Sequence, residues 1–461
     1  MSTKTISRDF TSGSISKQMF SFMLPFMLSN AMQVLYNTVD MIIVGHFVDK
    51  GITSAGIAAV GQSSQIVNFA TMVTLGFSNA GQVLLAQALG AGKRKEMNSI
   101  IGTLFSLITI LAVALSAVIL FGREYILDLM NIPLESLAMS RDYLTICAAG
   151  LIFTAGYNMV SAVLRGMGDS KRPFLFIAIA SVTNIVLDLV FITTKLDMGV
   201  AGAAYATIIG QAVSFIFSIW YLIRRKEKFG FDFKLKSFKI NPNYAKMMIS
   251  IGTPMAIQSG CINISMLFVN SMINGIGLVE SSTFSAGIKI DDIINKISQG
   301  IHHAAMPMIS QNIGASKPER AKKVVYTAWI FSGIWTVVFI ALYIFFGKQM
   351  FLLFSDNPDV HAMAPKFISA IIWMFPALAL MRGTGALIQG IGNSKLSMVL
   401  ALLDGVVLRI GLSWLFGIVL GWGFFGFVLG YGLAAYGFAI PGVIYFLSGK
   451  WRHYKVLARD I

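Results

Sequence analysis

The stretch Leu104–Leu120, LFSLITILAVALSAVIL, is an almost unbroken run of apolar residues. A bilayer core about 30 Å thick needs about 20 such residues per helix, and similar runs recur along the whole chain. A membrane β-barrel would instead show short segments in which polar and apolar residues alternate. Only a helix satisfies its own backbone hydrogen bonds in lipid, so the stretch predicts a membrane-spanning α-helix.

Composition supports a membrane protein. Of the 461 residues, 56% are hydrophobic and only 12% are charged, which lies outside the range of soluble globular domains. The polar start, residues 1–17, precedes a long span without a small-residue cleavage site, which predicts an uncleaved protein of the bacterial inner membrane. Cys147 and Cys261 both lie in apolar runs, so neither a disulfide framework nor a cysteine metal cluster is predicted.

Hydropathy predicts twelve spans, at 18–45, 57–81, 98–121, 137–163, 173–194, 200–223, 246–276, 283–310, 324–346, 364–388, 396–420 and 424–447. An even number of spans leaves both termini on one side of the membrane. The loops on that side carry 26 of the 36 Lys and Arg residues, which predicts cytoplasmic termini. The net charge of +15 then belongs to short loops beside anionic lipid headgroups, and no nucleic-acid partner is expected.

Two sequence blocks recur at a constant offset of 224 residues. Gln87–Lys93, QALGAGK, returns as Gln311–Lys317, QNIGASK, and Gly166–Lys171, GMGDSK, returns as Gly390–Lys395, GIGNSK. Blocks in the same register indicate an internal duplication. Because each copy holds six spans, the two copies have the same orientation in the membrane.

The predicted fold is therefore an all-α membrane protein with twelve transmembrane helices in two six-helix lobes related by a parallel internal repeat. The expected domains are an N-terminal lobe at 1–226, a basic cytoplasmic connector at 227–245 and a C-terminal lobe at 246–461. A two-lobed bundle that rocks can expose a central site to each side in turn, which is typical of transporters.

Two acidic residues lie at span depth in the first half. Asp40 and Asp188 each lie six residues, roughly 9 Å, below the predicted outer end of their helices. No Lys or Arg lies deep within the first six spans to neutralise either carboxylate, and uncompensated charges of this kind are costly in lipid. Asn184 is one turn from Asp188 on the same face, and Thr207 lies at similar depth in the next span.

These oxygen-bearing side chains suit a hard monovalent cation or a shared proton. The sequence therefore predicts a coupling site for H⁺ or Na⁺ at Asp40, Asn184, Asp188 and Thr207, with no cofactor and no other metal. An alternative remains open, in which the two aspartates face separate water-filled cavities.

Span 8 holds four of the charged residues of the second half. Lys289, Asp292 and Lys296 are spaced so that they can neutralise one another along one helix face. Asp291 has no such partner in the sequence pattern. A structural ladder is favoured over a second ion site in this span.

Three further charged residues lie at span depth in the second half: Arg382, Asp404 and Arg409. They can pair across helices or line a cavity, and the sequence does not separate these alternatives. The possible cavity of the C-terminal lobe comprises Asp291, Arg382 and Asp404.

The stretch Pro25–Phe47, PFMLSNAMQVLYNTVDMIIVGHF, resembles the first helix of bacterial multidrug and toxic compound extrusion (MATE) transporters. That helix is characterised by Tyr-x-x-x-Asp followed by Val-Gly, here Tyr36, Asp40 and Val44-Gly45. The segment Arg165–Pro173, RGMGDSKRP, and the repeated QALGAGK block are also similar to that family. Together the similar segments cover nearly the whole chain.

The resemblance implies export of amphipathic, often cationic, compounds in exchange for inward Na⁺ or H⁺ by a monomer in the bilayer. It places the family's amino-terminal cation site on Asp40, Asn184, Asp188 and Thr207, with these neighbours: Gln33, Tyr36, Tyr143 and Asn158. Another branch of the family carries a glutamate on the seventh span. The comparable stretch Gln258–Val269 has no acidic residue, which argues against coupling of that type here.

Two other function classes are alternatives. A lipid-linked precursor flippase can share the two-lobed bundle, but it would be expected to have a cationic central cavity and more than twelve spans. A membrane-embedded enzyme would need catalytic or metal-binding residues at suitable spacing within the spans, and none is found. His302 and His303 are adjacent and so do not share a helix face.

Overall fold

The computed structural model describes residues 8–47, 53–193, 196 and 198–457. The helices of the first half are α1 (Ile15–Phe47), α2 (Thr53–Gly90), α3 (Met97–Leu129), α4 (Leu134–Ala149), α5 (Leu151–Gly166), α6 (Lys171–Thr193), α7 (Gly199–Arg224) and α8 (Lys226–Phe229). Those of the second half are α9 (Pro242–Asn274), α10 (Leu278–Gly314), α11 (Pro318–Leu352), α12 (Pro358–Ile371), α13 (Met374–Gly390), α14 (Ser394–Leu402), α15 (Arg409–Trp414), α16 (Gly423–Leu433) and α17 (Tyr436–Leu447). Two π-helical segments, Leu403–Leu408 and Leu415–Val419, flank α15.

The described helices account for each predicted span. Within the described residues, nine helical stretches are long and apolar enough to cross a bilayer. Two further crossings are bent pairs, α4 with α5 at 45° and α12 with α13 at 46°. The remaining predicted span, 283–310, lies within α10, which is 37 residues long and carries the four charged residues of span 8. Those charges lower its hydropathy, but its length is more than a bilayer requires.

The duplicated sequence blocks fold into the same turn in both halves. Gly168 and Gly392 take left-handed backbone angles, with φ of +82° and +86°. In each copy the amide of the next residue, Asp169 or Asn393, donates to the carbonyl five residues earlier at 2.9 Å. Glycine at the left-handed position of a helix end avoids the strain that a Cβ atom would cause.

The chain forms two compact units. The first contains Leu28–Ala256, and the second contains Phe10–Met27 together with the residues from Ile257 onward. The segment before α1 is bound within the second unit, where the Phe10 amide donates to Gln311 Oε1 at 3.1 Å. The lobe boundaries expected at 226 and 246 stay a prediction.

The connector after α8 packs against α3. The ring of Phe105 stacks on that of Phe231 with centroids 5.6 Å apart, and Phe238 meets Phe231 edge-on at 5.3 Å. Asn98 Nδ2 donates to Ser237 Oγ at 3.2 Å. Three lysines of the connector are exposed: Lys234, Lys236 and Lys239. The basic face of the connector is therefore exposed to solvent, whereas its aromatic face packs against α3.

Gly102 permits this docking. A Cβ atom at Gly102 would lie 1.7 Å from the backbone oxygen of Ser237. We expect Gly102→Ala to displace the connector and to cost about 1–3 kcal/mol, as overpacking usually does. The measurement is the rate of tryptic cleavage at the connector lysines, which should rise. Gly122→Ala on the same helix is the control, because its Cβ would meet only Ile126 Cδ1 at 3.7 Å. Equal cleavage rates in the two variants would contradict the docked geometry.

Candidate functional site

Small residues bring α6 and α7 close together. A Cβ atom at Gly210 of α7 would lie 2.8 Å from the carbonyl oxygen of Ala180 and 3.4 Å from Asn184. A larger residue at this position would push the helices apart. The close approach places the polar side chains of α6 against those of α7.

The α6–α7 interface holds three of the four predicted cation ligands. Asp188 is fully buried and Asn184, one turn earlier, is 3% exposed. Asn184 Nδ2 donates to Thr207 Oγ1 at 3.4 Å. The structure therefore joins Asn184 to Thr207 across two helices and places Asp188 on the same buried face of α6.

Asp40 lies on α1, but its side chain is outside the described residues. Two of its neighbours along α1 are described: Val39 and Ile43 belong to an apolar cluster that also contains Ile192 and Val200. Ile43 is one turn beyond Asp40, and Ile192 is one turn beyond Asp188. The two acidic residues therefore lie at matching depth on helices that share one cluster.

The predicted neighbours are more dispersed. Tyr143 of α4 is buried in the same apolar cluster, and its hydroxyl accepts a bond from Ser64 at 3.2 Å. Gln33 and Tyr36 on α1 and Asn158 on α5 are partly buried. In the described part of the chain, no hydrogen bond joins Gln33 or Asn158 to the Asn184–Thr207 pair. Their role in the site stays a prediction.

Sequence reasoning missed Gln211. It follows Thr207 by one turn on α7, so both lie on one helix face. Gln211 Oε1 and Asn184 Oδ1 are buried oxygens without a hydrogen-bond donor among the described residues. The i,i+4 spacing of Gln211 from Thr207 is the sequence feature that could have indicated it. A single amide side chain in an apolar span is weak evidence for a binding site, however. Oxygens in need of donors or cations suit a proton or a hard monovalent cation.

In the second half, Asp291 is buried in α10, and Tyr343 of α11 donates its hydroxyl to Asp291 Oδ1 at 2.6 Å. The other three charged residues of this span are exposed: Lys289, Asp292 and Lys296. The exposed trio lies on a different face from Asp291, and the ladder among these three residues stays a prediction. Asp291 finds its partner on another helix.

Asp404 and Arg409 pair within one span rather than across helices. Arg409 Nη2 lies 3.1 Å from Asp404 Oδ1, and both side chains are at least nine-tenths buried. The segment between them is π-helical, and its wider turn brings residues five apart onto one face. The guanidinium also lies over the ring of Tyr431, 4.7 Å from the centroid. Arg382 lies elsewhere in the second unit and contacts Asn295, and among the described residues it forms no ion pair with Asp404.

Comparison with known proteins decides the family. Residues 25–190 and 254–415 each match the sequence profile of a family described as MatE. The chain belongs to the MATE family. The double match also agrees with the internal duplication, because one profile fits each half of this MATE chain.

Similar MATE proteins span almost the full length of the chain. The probable multidrug resistance protein YpnP of Bacillus subtilis strain 168 is 32% identical over 453 residues, which cover 97% of this chain and 98% of the relative. The probable multidrug resistance protein NorM of Thermotoga maritima is 25% identical, with coverage of 97% and 95%. A structure described as the outward-facing conformation of a multidrug resistance MATE family transporter is 22% identical, with a TM-score of 0.88 and coverage of 97% and 99%.

The predicted fold class is confirmed, since MATE transporters have twelve transmembrane helices in two lobes. The chain is a multi-pass membrane transporter of the MATE family, and its substrates are small molecules. The residues proposed for ion coupling stay a prediction, because the comparisons do not test them.

Proposed function

We propose that the chain is a multidrug exporter that exchanges amphipathic, cationic compounds for inward H⁺ or Na⁺ by alternating access. The observation that carries this proposal is the fully buried Asp188, one helical turn from the Asn184–Thr207 pair and at the depth of Asp40. Relatives named as multidrug resistance proteins support the substrate class. The proposed setting is a monomer in the bacterial inner membrane with both termini cytoplasmic.

Buried acidic oxygens provide the coupling. An ionised carboxylate at span depth is costly unless a cation or a proton neutralises it, so the site gains stability when it is loaded. If the ion and the substrate favour opposite states of the transporter, binding of one weakens binding of the other, and the effect is reciprocal. An ion gradient can then drive export.

The site lies in the outer half of its helices, so the coupling ion enters from the outside. Loading at Asp40 acts on α1, which contains Pro25. Proline removes one backbone hydrogen bond and offers a point where a helix can bend. We propose that α1 bends or shifts on loading, that substrate leaves as the cavity reshapes, and that the ion is released inward.

The experiment that tests the proposal is uptake of cationic dyes into inverted vesicles, with the pH gradient and the Na⁺ gradient imposed separately. We expect one gradient to drive uptake. Dye affinity of the purified protein should also depend on the same ion at equilibrium. Dye binding that responds to neither pH nor Na⁺ would contradict antiport and would favour the flippase alternative.

Thr207 offers a matched pair of variants. Thr207→Val keeps the shape of the side chain but leaves the Asn184 amide without its acceptor, and a buried unsatisfied group costs about 1–3 kcal/mol. We expect the affinity for the coupling ion to fall about tenfold, since each 1.4 kcal/mol is a factor of ten. Thr207→Ser retains the hydroxyl and should bind the ion normally. Ion-dependent dye binding measures both variants, and equal affinities would exclude Thr207 from the site.

A further inference from the structure

A small cavity lies between α10, α11 and α13 in the second unit. Polar and apolar side chains line it, including Ser298 of α10, Ser332 and Trp335 of α11, and Arg382 of α13. Its volume of about 10 Å³ is close to the room that one water-sized particle needs. The proposed coupling site belongs to the other unit, so this cavity is not part of it.

Arg382 brings a charge to this cavity, and no carboxylate among the described residues balances it. Its Nη2 donates to Ser298 Oγ at 3.0 Å and to the side-chain and backbone oxygens of Asn295. These partners are neutral. Within the described part of the chain, no Asp or Glu oxygen forms an ion pair with Arg382. His302, which contacts the backbone of Arg382, carries no negative charge either.

An arginine cannot discard its charge. A buried carboxyl can take up a proton and become neutral, whereas the guanidinium group remains protonated in proteins. Arg382 lies near the middle of α13, at span depth. An uncompensated cation at that depth is costly unless an anion or solvent accompanies it.

Several hydrogen-bond donors at the cavity also lack acceptors. Trp335 Nε1, Arg382 Nε and Ser332 Oγ are buried and have no partner among the described residues. Ser332 is only 2% exposed. Indole and guanidinium groups can only donate, so the cavity lacks acceptors, in contrast to the acceptor-rich surroundings of Asn184.

We propose that this cavity binds an anionic group at Arg382, either a free halide ion or one oxygen of a carboxylate on an amphipathic compound. A water molecule would satisfy the donors but would leave the guanidinium charge unbalanced. An anion does both. The inference goes beyond the proposed function, which requires only a cation site in the first unit, and it concerns binding that is independent of transport.

The apolar lining agrees with such an occupant. Phe339, Phe375 and Leu378 face the same cavity as the donors. A charge-assisted hydrogen bond between a guanidinium group and an anion is stronger where neighbouring side chains exclude water.

The test is bromide binding to the purified full-length protein in methanesulfonate buffer, followed by tryptophan fluorescence. Bromide held against Trp335 should quench its indole in a saturable manner, whereas collisions with exposed tryptophans give only a linear decrease. Trp335→Phe should remove the saturable part. Trp329→Phe is the matched control on the same helix, because Trp329 Nε1 already donates to the Leu380 carbonyl at 2.9 Å.

Variants of Arg382 test whether its charge binds the anion. We expect Arg382→Gln to weaken bromide binding at least tenfold, and Arg382→Lys to retain part of it, because a lysine keeps the charge but loses the fork of donors. Should Arg382→Gln not fold, Ser332→Ala takes its place, since it removes one donor and leaves the charge. It should also weaken binding.

Competition distinguishes the two sources of the anion. Displacement of bromide by chloride alone would identify a halide site, and displacement by acetate would identify a carboxylate site; either result supports the proposal. Purely linear quenching in the wild type would show that the cavity holds water only. Wild-type affinity in Arg382→Gln, or in Ser332→Ala if that variant is used, would also overturn the proposal.

Discussion

Asp188→Asn is expected to abolish gradient-driven efflux while the protein remains folded and inserted. Asparagine has nearly the same shape as aspartate but cannot supply the negative charge that holds a cation or exchanges a proton. The fully buried position makes that charge difference large, because water does not screen it. Dye uptake into inverted vesicles under the driving gradient should fall to the level of vesicles without the protein. Asp40→Asn should have the same effect, since both carboxylates are proposed to hold one ion.

The control for this prediction is an exposed carboxylate on the same half of the chain. Asp142 lies on α4 and is exposed, so Asp142→Asn changes the same chemical group in water. It should leave efflux unchanged. Normal efflux in Asp188→Asn, with wild-type expression and thermal stability, would remove Asp188 from the coupling site.

The second large effect is expected for Asp404→Asn. This substitution leaves the guanidinium group of Arg409 buried without its counter-ion, and breaking a buried ion pair from one side costs about 3–5 kcal/mol. We expect a lower midpoint of thermal unfolding for the purified protein in detergent. The aromatic ring of Tyr431 under the guanidinium compensates only part of the loss, since a desolvated cation–π contact contributes about 2 kcal/mol.

A double variant separates the ion pair from the packing around it. Asp404→Leu combined with Arg409→Met replaces both charges with apolar groups of similar size, which is often neutral for stability. The double variant should therefore unfold near the wild-type temperature. If it is as unstable as Asp404→Asn, the pair stabilises the π-helical segment in a way that hydrophobic packing cannot replace.

Some features of the chain follow from local sequence alone. Lipid excludes unpaired backbone groups, so an apolar run such as Leu104–Leu120 predicts a spanning helix without knowledge of its neighbours. The repeated blocks likewise predict two halves that fold alike, and both copies form the same turn at Gly168 and Gly392. Asn184 and Asp188 share a face because α-helical geometry places residues four apart together.

Other features depend on how each helix is rotated and on how closely its backbone approaches the next one. The bond from Asn184 to Thr207 requires the close contact of α6 and α7 at Gly210, which hydropathy does not report. The Asp404–Arg409 pair requires a π-helical segment, because an α-helix does not align residues five apart.

Whether Arg382 would meet a carboxylate was also undecided in the sequence. Among the described residues, its guanidinium group donates to the neutral oxygens of Asn295 and Ser298. Periodicity and composition are properties of one segment, so they predict which helices form and which face is polar. The partner of a buried charge is decided by packing between segments, because the partner must come within a few ångströms in three dimensions.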